Sequence, residues 1–249
     1  LKYAPQTRTP IVDLVNIGVL GGSLGIAQEQ LESFTVAADK FNIALGSDFG
    51  GVENAVRSVS SLRNLFVQTR GMDAAEQINK VGSAINSLTS IGARASEMTD
   101  FTARLGALPD AIKPSIADAL AMAAVFDKTG ISSEVAASGL QNLITLAGRN
   151  IGAFANQMKL STIEATKLLS SNPSSFAFKL AESLNGLDAV QMSQKLKALR
   201  INSTEVLKTI GSLGANYELF TKAQQMASDQ LDSGTSLSEE AALKNAILA

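Results

Sequence analysis

The chain contains no cysteine, no histidine and no tryptophan, and its ten phenylalanines are joined by two tyrosines, Tyr3 and Tyr217. Without cysteine there are no disulfides and no thiolate metal sites. The further lack of histidine removes ordinary zinc, haem and Cys–His chemistry, so no metal and no cofactor is expected. Nor is there a glycine loop ending in Lys-Ser or Lys-Thr to cradle a nucleotide phosphate. The 21 basic residues are scattered against 23 acidic ones for a net charge of −2, which leaves no electrostatic footprint for nucleic acid. No small-molecule substrate and no sequence-specific nucleic-acid partner is expected.

What remains is apolar and helical. At 249 residues and 45% hydrophobic, the chain can bury a sizeable core as one large or two small domains. Its mean hydropathy of +0.15 is high for a soluble protein and suits helices packed on one another or on other copies. The apolar stretch Ile11 to Ala27, interrupted by Asp13, Asn16 and glycines, falls short of the roughly 20 residues a spanning helix needs. The first residue is Leu rather than Met and no signal peptide follows, so the chain reads as a fragment or processed product.

The periodicity is all-α: an array of roughly ten to twelve helices and no sheet. Residues 1–25, with prolines and glycines, read as an irregular opening segment. A helix is expected from Ala27 to Phe41, another marked by Val52, Val56, Val59, Leu62 and Phe66, and then the longest element, Ala74 to Leu105. Unbroken, it would span about 48 Å at about 1.5 Å per residue; Gly82 and Gly92 weigh against its continuity. Its Ile78, Val81, Ile85 and Leu88 have coiled-coil spacing and suit either burial within the chain or an inter-chain coiled coil. The prolines between Gly106 and Pro114 mark the internal boundary, giving an N-terminal helical part over 26–105 and a C-terminal array of short helices over 106–249, as two parts or as one continuous domain. The last helices are expected at Ala215–Leu231 and Ala241–Leu248.

Four corners repeat one punctuation, a small or polar residue, then Ile or Leu, then a helix-starting cap: Asn42-Ile43, Gly130-Ile131-Ser132, Lys159-Leu160-Ser161 and Arg200-Ile201-Asn202. A left-handed residue closes one helix and the cap opens the next. Glu164 and Glu205, three residues after their caps, read as capping boxes, as do the pairs Asp73/Glu76 and Ser236/Glu239. Ile201 and Val206 suit a hydrophobic staple.

Catalytic patterns are few. Gly21-Gly22-Ser23-Leu24-Gly25 fits a nucleophile elbow, but that device needs a preceding strand and a histidine base. The carboxylate pairs Glu97/Asp100 and Glu239/Glu240 are the candidates for sugar hydrolysis, yet both lie on expected helix surfaces without tryptophan to stack a sugar. No catalytic, cofactor-binding or metal-ligating residue is assigned, and the chain is expected not to be an enzyme.

Several segments together resemble the core region of tape-measure proteins of long-tailed phages and prophages. They are Val12–Gly21, the corner Ala37–Gly46, Lys113-Pro114-Ser115, Ala123–Ala137 and Ser171-Asn172-Pro173, and the resemblance covers most of residues 11–240. The very long, charged, low-complexity helices of such proteins are not found in this chain. The resemblance implies a structural virion protein, made in the bacterial host cytoplasm and lying in the tail-tube lumen, whose polypeptide length sets the tube's length. It implies as partners sister copies, tail-tube and tail-tip or baseplate proteins, and tail assembly chaperones. It also implies release on infection to assist DNA passage through the host envelope, with transient host-membrane contact. Two other functions fit the residues: a membrane-perturbing, toxin-like helical module, supported by Ile11–Ala27, and a carboxylate-based cell-wall hydrolase domain.

Overall fold

The computed structural model describes residues 2–247; Leu1, Leu248 and Ala249 lie outside the described part, and with them the expected end of the last helix at Leu248. Among the described residues every regular element is helical, with fourteen α-helices and four short 3-10 turns. The α-helices are α1 (Ile11–Ser23), α2 (Leu31–Leu45), α3 (Val52–Ser61), α4 (Ala74–Thr89), α5 (Ala95–Gly106), α6 (Ile116–Lys128) and α7 (Ser133–Arg149). They continue with α8 (Ile151–Gln157), α9 (Thr162–Ser171), α10 (Pro173–Leu184), α11 (Ala189–Leu199), α12 (Thr204–Ala215), α13 (Tyr217–Ser233) and α14 (Ser236–Ile247). The all-α reading holds, with slightly more and shorter helices than expected.

Two expected elements differ. The long helix 74–105 is α4 and α5, separated at residues 90–94, where Gly92 takes a left-handed φ of 88° that a continuing helix does not allow. The Asp48 carboxylate then accepts the Ala95 N–H at 2.9 Å and starts α5 from a distant loop, a long-range cap that local spacing does not show. The opening segment is also not irregular throughout. Ile11–Ser23 forms α1, started after Pro10, with Leu14 and Ile17 buried, so its apolar face outweighs its glycines.

Three of the four expected corners are present. Ile131, Leu160 and Ile201 each donate their N–H five residues back, to Phe126, Ala155 and Leu196, at 2.9 Å. Gly130, Lys159 and Arg200 hold the left-handed position at φ 75°, 56° and 58°. This is the Schellman closure. The fourth instance lies at Gly25-Ile26, where Ile26 bonds Gly21 at 3.0 Å, and not at Asn42-Ile43, which lies inside α2. Asn42 and Ile43 continue α2 because no left-handed residue interrupts it before Gly50. Of the expected capping boxes, Ser161/Glu164 is complete. Asp73 accepts from the Glu76 N–H as a single-sided cap. The cap of α12 is Ser203, bonded to Val206 N–H, rather than Asn202, and Ser203 also donates to Glu205 at 2.5 Å. Ser236 is helical and is not a cap; its N–H reaches the Gln230 side chain at 3.0 Å. Asp188/Gln191 forms a capping box that the sequence reading does not single out.

The chain divides into two units within α5 and α13: residues up to Thr99 together with residues from Gln225 onward, and Asp100–Gln224. The boundary expected at 106–114 therefore differs, and the C-terminal stretch belongs with the N-terminal one. In the first unit α2 is the hub, packing on α1, α3, α4 and α14. Fully buried Phe34 and Phe41 fill its face, and a side chain at Gly82 of α4 would press into Phe41 and Leu237. The helix α14 is fastened by Leu237 N–H to Ser83 Oγ at 3.0 Å, Asn86 to Ser236 Oγ at 2.7 Å, and Lys244 Nζ to the Ala44 carbonyl at 2.6 Å. The second unit is built around α6, buried on nearly every side from Ile116 to Phe126. Its most extensive pairing is α7 with α12, where the absence of a side chain at Gly139 lets the backbone of Glu205 come close.

Candidate functional site

The residues singled out for chemistry serve structural ends. Ser23 closes α1, donating its hydroxyl to the Leu20 carbonyl at 2.7 Å, and a helix rather than a strand precedes it. Glu97 faces Arg94 at 3.6 Å on the first unit. Asp100 pairs with Arg104 at 2.9 Å and accepts from the Ser133 hydroxyl on the second. Glu239 lies in the first turn of α14, and Glu240 pairs with Lys244 at 3.6 Å. The seam Ile78, Val81, Ile85 and Leu88 is fully buried, facing the neighbouring helices of its own unit. Among the described residues no group of three or more acidic side chains is placed to hold a metal ion, and no helix is long and apolar enough to cross a membrane.

Two buried carboxylates escape a reading by spacing. Asp39, fully buried on α2, accepts from Thr7 Oγ1 at 2.7 Å and Thr9 Oγ1 at 2.5 Å, and it faces the Tyr3 hydroxyl. Burial, reinforced by the Asp39 charge and hydrogen bond, pushes the Tyr3 phenol up from 10.0 to about 12. These bonds hold residues 3–9 against α2. Asp118 on α6 accepts from Ser174 Oγ at 3.0 Å and from the Gln224 amide. Both carboxylates meet partners more than thirty residues away or in an irregular segment, so periodicity carries no trace of them.

The remaining features are surfaces. On the first unit, α1 presents Ile11, Val12, Val15 and Val19 to solvent, each at least 51% exposed, on the side opposite its buried Leu14 and Ile17. At its start Pro10, Ile43 and Ile247 border a recess of ≈ 510 Å³. On the second unit an open groove of ≈ 1070 Å³ runs between α9, α10, the end of α12 and the start of α13. Phe178 stacks against Phe220 at 4.0 Å between centroids and meets Tyr217 edge-on at 5.6 Å, giving the groove an aromatic floor. Its rim carries Glu164, Glu182 and Glu218 against Lys179, all exposed. Hydrogen bonds from Ser161 hold the Glu164 carboxyl below its ordinary range, with a small contribution from Lys179, so it stays charged. The groove brings together residues 160–185 and 213–224, a grouping that follows from the packing of α10 on α9 and α12.

Comparison with protein families matches residues 3–227 to the family described as phage-related minor tail protein. Comparison with curated proteins and with solved structures finds no match.

Proposed function

Because this chain belongs to the phage-related minor tail protein family, matched across nearly its whole length, we propose that it is the folded helical core of a tail tape-measure protein. The family match is the observation that carries this reading, and the surfaces described above agree with it. The chain offers helix faces and an open groove, while three of its candidate catalytic carboxylates, Glu97, Asp100 and Glu240, are held in ion pairs. Its role is scaffolding: copies lie in the lumen of the tail tube during assembly, alongside tube, tip and chaperone proteins, and the parent polypeptide sets the tube's length. On infection it leaves the tube and assists passage of DNA. No reaction is catalysed.

The test is tail length by electron microscopy in phage whose gene carries an in-frame deletion of Asp100–Gln224. Shorter tails are expected. Tails of unchanged length overturn the ruler reading.

A second reading, membrane contact, has the exposed stripe of α1 in its favour. Against it, α1 carries no Lys or Arg, whereas interfacial helices draw much of their binding from basic residues on their polar face. Leakage from anionic liposomes that is lost on Val15→Asp would support it over the first.

A further inference from the structure

We propose that the groove on the second unit receives α11 of another copy of this chain, in a head-to-tail contact. This deepens the scaffold reading, on which it rests for the presence of neighbouring copies. At ≈ 1070 Å³ the groove lies at the upper end of the range of small-ligand pockets, about 1,000 Å³, and its open lining across α9, α10 and α13 has room for a helix. An aromatic floor of Phe178, Tyr217 and Phe220 offers apolar contact, and Tyr217 remains 59% exposed with nothing over it. The rim has three carboxylates and one ammonium, so an occupant with basic charge is favoured.

The chain itself carries such an occupant. Among the described residues α11 is the one α-helix whose charged side chains are all basic, Lys195 and Lys197; Arg200 follows at its C-cap and Asp188 precedes it at its N-cap, so the segment stays net basic. Lys195, Lys197 and Arg200 take part in no ion pair or side-chain hydrogen bond among the described residues. The helix is also the least buried of the longer helices: Leu199 is its sole buried residue, and α8 is its main neighbour. Met192, Leu196 and Leu199 share the face turned inward, spaced four and three residues apart, which leaves Val190, 66% exposed, and Lys197 on the outer face. Val190 would meet the aromatic floor, and Lys197 on the same face the acidic rim. Groove and helix are different surfaces of one chain, so the contact is heterologous: it propagates into a file of copies or closes into a ring.

The test uses the intact chain in sedimentation velocity over a range of concentrations. Wild-type protein is expected to self-associate, less at high salt because the rim charges are exposed. The groove variant Glu182→Lys/Glu218→Lys and the helix variant Lys197→Glu are each expected to associate at least about tenfold more weakly, since like charges then face each other. An equimolar mixture of the two is expected to recover association, because each reversed surface finds its complement on the other chain. If a charge-reversed variant melts below wild type, Glu218→Gln and Lys197→Gln replace it, each expected to weaken association. Wild-type protein that stays monomeric overturns the proposal and gives the groove to another partner. Association that survives either variant, or a mixture that fails to recover it, overturns it as well. Failure here leaves the tail-length result untouched, and unchanged tail length leaves this association measurable.

Discussion

At the scale of single residues, buried Asp39 shows how one carboxylate orders an irregular segment. Its acceptor oxygens are filled by Thr7 and Thr9, and the Tyr3 phenol beside it resists ionisation. The folded pKa of Tyr3, about 12, lies above the ordinary 10.0. Its contribution to stability is therefore complete below pH 10 and is lost as pH rises towards 12. At about 1.4 kcal/mol per pKa unit, the loss over that window is at most about 2–3 kcal/mol and is lowered by solvent screening. In a Tyr217→Phe background, where Tyr3 is the sole tyrosine, ultraviolet titration of the folded protein is expected to centre near pH 12; a midpoint near 10 contradicts the buried placement. Gly139 and Gly148 share α7 and make a second residue-scale contrast. A Cβ at Gly139 would lie 2.5 Å from the Glu205 carbonyl oxygen, whereas one at Gly148 meets nothing within 4 Å. Gly139→Ala is expected to cost about 1–3 kcal/mol despite the better helix propensity of Ala. Gly148→Ala is expected to stabilise by about 0.5–1 kcal/mol. Denaturant midpoints of the two variants check both signs.

At the scale of elements, the corners are legible because everything they need lies within about six residues: a left-handed residue, an apolar residue returning to the core, and a cap. That is why Ile131, Leu160 and Ile201 are found by pattern. Asn42-Ile43 is misread because its pattern is the same while the backbone of α2 stays helical around it. Two corners place long side chains where glycine would be unstrained. Arg200→Gly, with φ at 58°, is expected to stabilise the α11–α12 corner by about 0.5–1 kcal/mol. Lys195→Gly, in the body of α11, is expected to destabilise by about 1 kcal/mol. A thermal melt that lowers both variants equally would show that the corner carries no strain. The break between α4 and α5 belongs to this scale too. Gly92 hints at it, but the Asp48 cap that fixes the start of α5 comes from 47 residues earlier in sequence.

At the scale of the whole molecule, folding into two compact units bears on the length ruler proposed above. Residues 100–224, drawn out as helix at about 1.5 Å per residue, would span about 190 Å. Held as a compact unit of the same size they would span about 35 Å. Tails lacking this segment are thus expected to shorten by one of two well-separated amounts. The larger value means that the unit unravels inside the tube, and the smaller that it stays folded.

The sequence by itself determined the helical class, the helix starts at Val52 and Ala74, three of the four Schellman corners and the kinship with phage tail proteins, because caps, left-handed residues and the helical period act over a single turn or two. Only the tertiary structure decided that α14 returns to α2 and α4, that Asp39 and Asp118 are buried with partners, and that α1 keeps one apolar face in solvent. It alone gathered Phe178, Tyr217 and Phe220 beneath an acidic rim. Burial and close approach are set by which faces meet across long stretches of chain, and in this chain of similar short amphipathic helices many pairings satisfy the local pattern equally well.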